Sequence, residues 1–429
     1  MKDVEVSISK FKAVNKADIM LNGITVLSGV NSSGKSTISK LLYYTFKYAN
    51  EFETIVREIV REKLDDIDGF AFRLSYESKG FGDENGELKK IFRLYNSSEI
   101  TLEHKKEALL KLLNKSRDLL NSEENIKDSQ DRFSQERYIQ IVKKLLETTE
   151  DKSLDDYFDD VIKLVKKIFS DAGKLLENRD YTIFKNFLEE KLGNSIDTIR
   201  INEYGYSFVG IDVKTIPIME YIQQVIYIDT PVIVGAVSDF VSDYWDDLDS
   251  LLQKKPIISK KIFSEMMESI IRGKASYDED MMHMYRYHRM DDKVFNLFDS
   301  ATGIKSFSIL QMLLNNGSIN KNTLLIIDEP EAHLHPQWIV EYARLIVLMH
   351  KHIGTKFFIA SHSTDFVSAI KYISTKEQCL DSLSYYLSEE DKDNPYTYNY
   401  RSLNTDIEPI FESFNKSFAL IEEYGADND

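Results

Sequence analysis

The sequence predicts an α/β fold, in which a mixed sheet with flanking helices is interrupted by large helical insertions. A short β-branched run at Ile24–Leu27 leads through a glycine-containing loop into an amphipathic helical pattern at Ile38–Tyr48. Two apolar runs, at Thr323–Ile327 and Lys356–Ala360, have the composition of strands buried on both faces, and a helical pattern at Pro336–His350 separates them. Segments from both ends of the chain are therefore expected to form one core.

The residues between these segments are charged and carry apolar positions at helical spacing. They do not sustain heptads, which predicts compact insertions rather than a coiled-coil arm. We expect the core to consist of residues 1–80, 195–235 and 274–429, with helical insertions at 81–194 and 236–273. Further strands are predicted within 195–209, 224–234 and 274–298 and at Leu383–Ser388, a helix at Ile407–Tyr424, and the loosest segment at Ser388–Tyr400.

Composition limits the class of protein. The 429 residues are 42% hydrophobic and 29% charged, which is typical of a globular core domain with a large insertion. The sequence has no apolar run of roughly eighteen residues that would predict a transmembrane helix, and its first residues lack the layout of a signal peptide. Cys379 is the single cysteine, so disulfides cannot form a framework. We expect a bacterial-type cytoplasm as the compartment.

The net charge of -17 argues against a strong non-specific nucleic-acid binder, whose binding surface is usually basic, but it does not exclude DNA as a partner. Three local basic stretches stand against this acidic background, at His104–Lys106, Lys254–Lys261 and Tyr285–Arg289. Taken one at a time, each is better interpreted as a solvated face than as a binding site.

Residues Gly29–Ser36 fit the phosphate-loop pattern G-x-x-x-x-G-K-[ST] without a mismatch. Glycines allow the backbone to wrap around phosphate oxygens, and the following helix directs its positive end there. Lys35 is expected to reach the β- and γ-phosphates of ATP, and Ser36 to ligate Mg²⁺. A chance glycine–serine turn is the alternative. The predicted ATP contacts are Gly29, Asn31, Ser32, Ser33, Gly34, Lys35, Ser36 and Thr37.

The apolar strand at Thr323–Ile327 ends in two adjacent acids, Asp328 and Glu329. Ligand sites of α/β sheets lie at such strand ends. Asp328 is expected to hold Mg²⁺ together with Ser36, and Glu329 to polarise the attacking water as general base. The alternative is that the two acids merely cap a helix, and the presence of a phosphate loop in the same chain argues against it.

A third signal is His362, which follows the buried strand at Lys356–Ala360 between two serines. A histidine at this place can hydrogen-bond a γ-phosphate oxygen and so distinguish ATP from ADP. Taken alone it would be interpreted as a structural loop residue; together with the Asp-Glu strand it is a candidate catalytic residue.

These three motifs, in this order, resemble the ABC/SMC-like ATPase superfamily. The sequence EPEAHLHP at Glu329–Pro336 is similar to that of the OLD-type, Septu and PARIS ATPases of prokaryotic anti-phage defence. The resemblance covers about the first fifty residues and residues 300–374, and not the helical insertions. It implies an ABC-type P-loop ATPase head, with ATP and Mg²⁺ as cofactors.

The resemblance also implies a signature motif, which binds the γ-phosphate held by a second subunit. Residues Ser300–Ser306 occupy its expected place but depart from the usual Leu-Ser-Gly-Gly-Gln form, with Ala301 where the serine is expected. Thr302, Gly303 and Lys305 are the residues expected to contact ATP in trans, at the start of a helix. Turnover is expected to be slow because of this departure.

Ala332–His335 falls on the loop that contacts the second subunit in such ATPases. His333 and His335 also form an H-x-H pair, for which a metal site is an alternative, although no third ligand is evident nearby. Phe11 is equally compatible with stacking on adenine and with an ordinary place in the core.

The resemblance implies a head-to-tail homodimer or a higher homo-oligomer that is closed by ATP and loosened by hydrolysis. No nuclease domain is recognisable after His362, so we expect the ATPase sensor or regulator of an anti-phage defence system, with a separate nuclease or toxin as effector and no membrane partner. The alternatives are a DNA-repair or recombination clamp ATPase, a transporter ATPase subunit, and a scaffold that only binds ATP.

Overall fold

The computed structural model describes residues 4–81, 83–97, 100–121, 135–230, 243–257, 261–278, 284–413 and 422–424. The chain divides into two compact units. The head unit comprises Met1–Asn50 and Tyr181–Asp429, and the helical unit comprises Glu51–Asp180.

Thirteen strands are described, all of them in the head unit. They are β1 (Val4–Phe11), β2 (Val14–Leu21), β3 (Ile24–Ser28), β4 (Ile199–Glu203), β5 (Tyr206–Val209), β6 (Gln224–Ile228), β7 (Gly273–Asp278), β8 (Met284–Arg289), β9 (Val294–Asn296), β10 (Thr323–Asp328), β11 (Lys356–Ser361), β12 (Leu383–Glu390) and β13 (Tyr398–Asn404). Ten of them form one sheet in the order β5-β4-β1-β2-β13-β12-β3-β11-β10-β6, and β7-β8-β9 form a second, three-stranded sheet.

The large sheet is mixed. Its centre, β12-β3-β11-β10-β6, is parallel, whereas β1 pairs antiparallel with β2 and with β4. Every residue of β3, β10 and β11 is buried, as parallel strands covered on both faces require. In this parallel centre, Ser28 of β3 lies beside Ser361 of β11, so the carboxyl ends of these strands meet at one edge. The predicted α/β class, with a mixed sheet and flanking helices, is confirmed.

Twelve α-helices have assigned bounds, and residues 408–413 and 422–424, within the predicted helix at Ile407–Tyr424, are helical as well. The twelve are α1 (Lys35–Asn50), α2 (Phe52–Glu77), α3 (Glu87–Tyr95), α4 (Leu102–Leu120), α5 (Gln135–Leu145), α6 (Leu154–Asn178), α7 (Tyr181–Leu192), α8 (Asp243–Leu252), α9 (Lys261–Ile271), α10 (Thr302–Asn315), α11 (Pro336–Ile353) and α12 (Thr364–Lys376). Short 3₁₀ helices lie at Ser78–Phe81, Leu297–Asp299 and Leu380–Ser382. No described helix combines the length and apolarity that a membrane crossing requires.

The helical unit contains α2 to α6. Its two longest helices, α2 and α6, have 26 and 25 residues. They pack through buried aromatic side chains, with the ring centroids of Phe70 and Phe158 5.8 Å apart. A capping box at the start of α6 links Ser153 and Asp156, because each side chain accepts a hydrogen bond from the other's backbone N–H.

The division into units differs from the predicted segments. Helix α2 lies in the helical unit although residues 1–80 were assigned to the core, and α7 lies in the head unit although it was assigned to the insertion. The reason is that charged amphipathic helices look alike in sequence, and only their packing shows which core each one joins. Phe187 of α7, for example, packs on Tyr48 of α1 with ring centroids 4.6 Å apart.

Two strands were not predicted. Strand β2 carries Lys16 and Asp18 on its exposed side. Strand β13 begins inside the segment of loosest composition, where it pairs antiparallel with β12 and parallel with β2. Strand β2 forms a hairpin with the preceding β1 and buries Ala17, Ile19 and Leu21 at alternate positions, whereas β13 is specified by its pairing with β12 and with the distant β2. Residues 231–234, 281–283 and 414–421, which were predicted to be strand, strand and helix, lie outside the described residues.

Candidate nucleotide-binding site

The phosphate-loop motif forms the turn between β3 and α1. Gly34 has a φ of +94° and Gly29 a φ of +150°, values that L side chains rarely adopt. A Cβ on Gly29 would lie 1.7 Å from Ser388 Oγ, and one on Gly34 would lie 2.8 Å from Val14 Cγ2. The glycines are therefore required both by conformation and by close neighbours, as the motif predicts.

Lys35 lies inside this turn and is only 6% exposed. Its Nζ donates to the carbonyl oxygens of Gly29 and Val30, both at 2.9 Å. Burial lowers the pKa of Lys35, and the nearby carboxylates of Glu329, Asp328 and Glu331 oppose that shift. An ammonium group is thus held among loop carbonyls and acids, where it can meet a triphosphate. The other predicted ATP residues surround it: Asn31, Ser32 and Ser36 are exposed, Thr37 is half-buried and Ser33 is buried.

Asp328 closes β10 and is almost fully buried. Its Oδ1 accepts from Ser39 Oγ at 2.5 Å and its Oδ2 from the Tyr227 hydroxyl at 2.8 Å. Burial raises the pKa of Asp328, while hydrogen bonds from Ser39, Ser36 and Tyr227 oppose the rise. Ser36, the other member of the predicted metal pair, is thus close to Asp328. A hydroxyl and a carboxylate are hard oxygen donors that fit Mg²⁺ bound together with phosphates.

Glu329 and His362 come together at the carboxyl ends of β10 and β11. Glu329 has a φ of +52°, and its N–H donates to Ala360 O at 2.8 Å. His362 Nδ1 lies 3.7 Å from Glu329 Oε1, and the two side chains are 43% and 41% exposed. Both predicted catalytic groups thus remain accessible beside buried Asp328 and Lys35.

Several polar residues at this edge carried no predicted role. Tyr227, at the end of β6, donates to Asp328, and Thr230 Oγ1 donates to Asp328 O at 3.0 Å. Glu331, only 7% exposed, accepts from Ser361 Oγ and from the His362 N–H, both at 2.9 Å. The only sequence signal for Glu331 is a third acid within four residues of Asp328. Tyr227 carries no local signal, because its contact depends on the pairing of β6 with β10.

The proposed signature residues Thr302, Gly303 and Lys305 lie in the first turn of α10. A Cβ on Gly303 would lie 2.5 Å from Trp338 Cε3 and 3.1 Å from Leu334 Cδ2, so the helix start packs closely on the segment after β10. Within the described part of the chain, no hydrogen bond or ion pair joins the side chains of Thr302 and Lys305 to the phosphate loop of the same subunit.

Two open alternatives can be compared with the structure. His335 caps α11, because its Nδ1 accepts from Gln337 N at 3.3 Å, and the adjacent His333 is exposed. In the ranges that the structure describes, no group of three or more His, Cys, Asp or Glu side chains is arranged to hold a metal ion. Phe11 is fully buried, which is the environment of a core residue rather than of an adenine platform.

A family model described as "AAA domain, putative AbiEii toxin, Type IV TA system" matches residues 24–368, which include the phosphate loop, Asp328, Glu329 and His362. No curated protein sequence matches the chain.

Among solved structures, the chain is similar to the Smc head domain with an extended coiled coil, bound to the C-terminal domain of ScpA, from Pyrococcus furiosus. The identity is 11%, 98% of each chain is covered and the TM-score is 0.35. It is also similar to the SMC head domain from Thermotoga maritima, with 10% identity, 94% of this chain and 99% of that chain covered, and a TM-score of 0.35. At such low identities and TM-scores, the assignment to a family depends on the sequence match.

Proposed function

This chain belongs to the family of AAA domains described as putative AbiEii toxins of type IV toxin–antitoxin systems, and on that premise we propose that it binds and hydrolyses ATP with Mg²⁺. It has the fold of an ABC/SMC-like P-loop ATPase head. One observation carries the proposal: buried Lys35, the Ser36–Asp328 pair, and the accessible Glu329–His362 pair converge at one edge of the parallel sheet.

The roles follow from position and charge. Lys35 neutralises the β- and γ-phosphates, and Gly29 and Gly34 allow the loop backbone to approach them. Ser36 and Asp328 hold Mg²⁺, which neutralises charge on the phosphates. Glu329, whose carboxylate is exposed next to these groups, orients and deprotonates the attacking water. His362 contacts the γ-phosphate and distinguishes ATP from ADP.

The assembly that completes the site is a head-to-tail homodimer. Thr302, Gly303 and Lys305 of one subunit contact the nucleotide held by the Lys35 loop of the other. The support for this is the position of the three residues in the first turn of a 14-residue helix, where the dipole favours an anion. ATP stabilises the closed dimer because it binds the closed state more tightly than the open state. Hydrolysis loosens the dimer because ADP lacks this preference.

In the cell, we place this ATPase in the cytoplasm as the sensor or regulator of a prokaryotic anti-phage defence system with a separate nuclease or toxin effector. The EPEAHLHP sequence at Glu329–Pro336 supports this role, as does the family description, which names a toxin–antitoxin system. A DNA-repair clamp ATPase is the rival; its turnover would be stimulated by DNA, less so as salt rises. A co-purifying membrane partner would instead indicate a transporter subunit.

Phosphate release by the purified chain tests the activity. Lys35→Ala removes the charge that meets the phosphates and is expected to lower turnover at least about 100-fold. Lys376→Ala, in the exposed last turn of α12, is the matched control and should keep the parent rate. If the parent releases no phosphate from ATP, or if Lys35→Ala is as fast as the control, the chain is not an ATPase. The alternative of a scaffold that only binds ATP would then apply.

Size-exclusion chromatography with ATP and Mg²⁺ tests the dimer. Glu329→Gln keeps the shape of the general base but not its charge, so hydrolysis should stop and an ATP-bound dimer should accumulate. If Glu329→Gln elutes with ATP at the same volume as the nucleotide-free protein, the dimer is wrong although the ATPase activity stands. Identifying the proteins that co-purify with Glu329→Gln from the native host then tests for the effector.

A further inference from the structure

The proposed chemistry does not use Glu331, the most deeply buried of the acids that follow Asp328. Glu331 lies at the start of the segment between β10 and α11, and it is 7% exposed. Its Oε1 accepts from Ser361 Oγ and from the His362 backbone N–H, both at 2.9 Å. One carboxylate oxygen therefore fixes the backbone at the point where β11 ends and the catalytic histidine begins.

The other oxygen of this carboxylate has no such role. Glu331 Oε2 is enclosed and has no hydrogen-bond partner among the described residues. A buried carboxylate oxygen without a hydrogen-bond donor is unfavourable, and the nearby ammonium of Lys35 offsets part of this penalty electrostatically.

The nearest unsatisfied ring nitrogen belongs to His362. Its Nδ1 is also enclosed and lacks a hydrogen-bond partner in the described part of the chain. It lies 3.5 Å from Glu331 Oε1 and 3.7 Å from Glu329 Oε1, slightly beyond hydrogen-bond length. The imidazole therefore stands with Nδ1 towards the two carboxylates, which leaves Nε2 as the nitrogen for the nucleotide.

We propose that Glu331 is a positioning residue, which fixes the His362 imidazole relative to Glu329 by holding both the backbone and the Nδ1 side of the ring. The inference rests on the proposed function, because it assigns Glu331 to the same ATPase site. Glu331 acts through His362 and not by touching nucleotide, since its side chain is enclosed. A misplacement of about 1 Å at a catalytic group can lower a rate about 100-fold.

Two substitutions separate the contributions of Glu331. Glu331→Ala removes the side-chain oxygen that accepts from the His362 backbone N–H, and with it the carboxylate beside Nδ1. Turnover is expected to fall about 10- to 100-fold. Glu331→Gln retains an oxygen for Ser361 and the His362 N–H, so the loss should be smaller than with alanine. Binding of a fluorescent ATP analogue should stay close to the parent's in both variants. Glu190→Gln, on the exposed side of α7, is the control for the loss of a carboxylate.

A second readout needs no turnover. In ¹⁵N-histidine NMR spectra of the nucleotide-free protein, the His362 ring signals are assigned by their loss in His362→Asn. They should be sharp in the parent, close to the parent's in Glu331→Gln, and shifted or broadened in Glu331→Ala, because the ring has lost its fixed orientation. The remaining seven histidines report whether the fold is intact. If Glu331→Ala does not fold, Glu331→Gln and Ser361→Ala, which removes one donor, carry the test.

Three outcomes would overturn the positioning role. They are turnover by Glu331→Ala equal to that of the Glu190→Gln control, unchanged His362 signals in Glu331→Ala, and a loss of nucleotide affinity as large as its loss of rate. A parent that hydrolyses no ATP would refute the proposed function instead, and the histidine spectra would still decide whether Glu331 holds the ring.

Discussion

The head unit and the helical unit bury polar side chains in opposite ways. In the head unit, Lys35 is distant in sequence from Asp328 and Glu331, and the three side chains come together at the ends of parallel strands, where one oxygen of Glu331 has no hydrogen-bond partner among the described residues. In the helical unit, Asp83 accepts from the N–H groups at the start of α3, and Ser116 Oγ donates to a carbonyl one turn earlier. These two polar groups complete helices, whereas the hydroxyl of buried Tyr95 donates to Asp68 of another helix.

This difference indicates that the head unit, rather than the helical unit, carries the groups suited to a reaction. Bringing charges together out of water costs stability unless they are well paired, so a fold retains them where a reaction needs them. Polar groups used at helix ends stabilise their own helix and leave nothing free to react. We therefore expect substitutions in the helical unit to change stability, and those at the sheet edge of the head unit to change nucleotide chemistry.

The largest expected effect is on the packing of the helical unit. Phe158 is fully buried, and its replacement by alanine should lower the free energy of unfolding by about 3–5 kcal/mol through lost burial and a cavity. Urea denaturation measures this loss. Phe72→Ala, in the same unit but 47% exposed, is the control and should change stability much less. Weaker ATP binding in folded Phe158→Ala than in Phe72→Ala would contradict the division of roles.

Tyr227→Phe tests whether a polar contact at the sheet edge of the head unit affects nucleotide chemistry. It removes the hydroxyl that donates to Asp328 but keeps the ring between Tyr43 and Tyr244. A lost hydrogen bond to a charged group corresponds to about 1.5 kcal/mol, so the Mg²⁺ concentration for half-maximal phosphate release should rise about tenfold. Tyr385→Phe, which loses a buried hydrogen bond to Val367 O, should leave the Mg²⁺ requirement unchanged. If both variants need the same Mg²⁺ concentration for half-maximal phosphate release, Tyr227 contributes to folding alone.

The pH dependence of stability tests a neutral polar group buried in the head unit. Burial lowers the pKa of His350 from 6.5, while its Nδ1 contacts Thr355 O at 2.9 Å and its Nε2 Ser382 Oγ at 2.8 Å. Below pH 6.5 the unfolded chain binds a proton that folded His350 resists. The unfolding free energy should thus fall as pH drops from 6.5 towards the folded pKa, by at most about 1.4 kcal/mol per unit.

His350→Asn should remove this contribution, and denaturation series between pH 7 and pH 5 measure it. His104→Asn, on the exposed side of α4, should retain the parent's slope because His350 is still present. The same slope in His350→Asn as in the parent would refute the assignment to His350.

The smallest expected effect concerns a helix end. Asp83 accepts from the N–H groups of Glu87 and Leu88, both at 2.9 Å, so Asp83→Ala should destabilise the helical unit by about 1 kcal/mol. Thr101→Ala removes a single acceptor, at 3.3 Å from His104 N, and should cost less. Both are measured by denaturation. A fall in ATP turnover in either variant would show that helix ends of this unit also serve the reaction.

Much of the site is local in sequence and was therefore predictable. The phosphate loop is a continuous motif because its glycines must adopt positive φ within one turn, and Asp328 and Glu329 follow their strand directly. The signature residues were placed at a helix start, where α10 begins, although their contact in trans stays a prediction. Ser39, Tyr227 and Glu331 were missed, since nothing in their neighbours indicates that they meet Asp328 or His362.

The sequence by itself determined the fold class, the apolar strands buried on both faces, and the residue types of the phosphate loop, because these depend on short-range patterns of burial and backbone conformation. Tertiary structure alone decided that α2 joins the helical unit, that β13 inserts between β12 and β2, and that Glu331 lies against His362. The physical reason is that pairing and packing join residues far apart in the chain, where no local pattern records the partner.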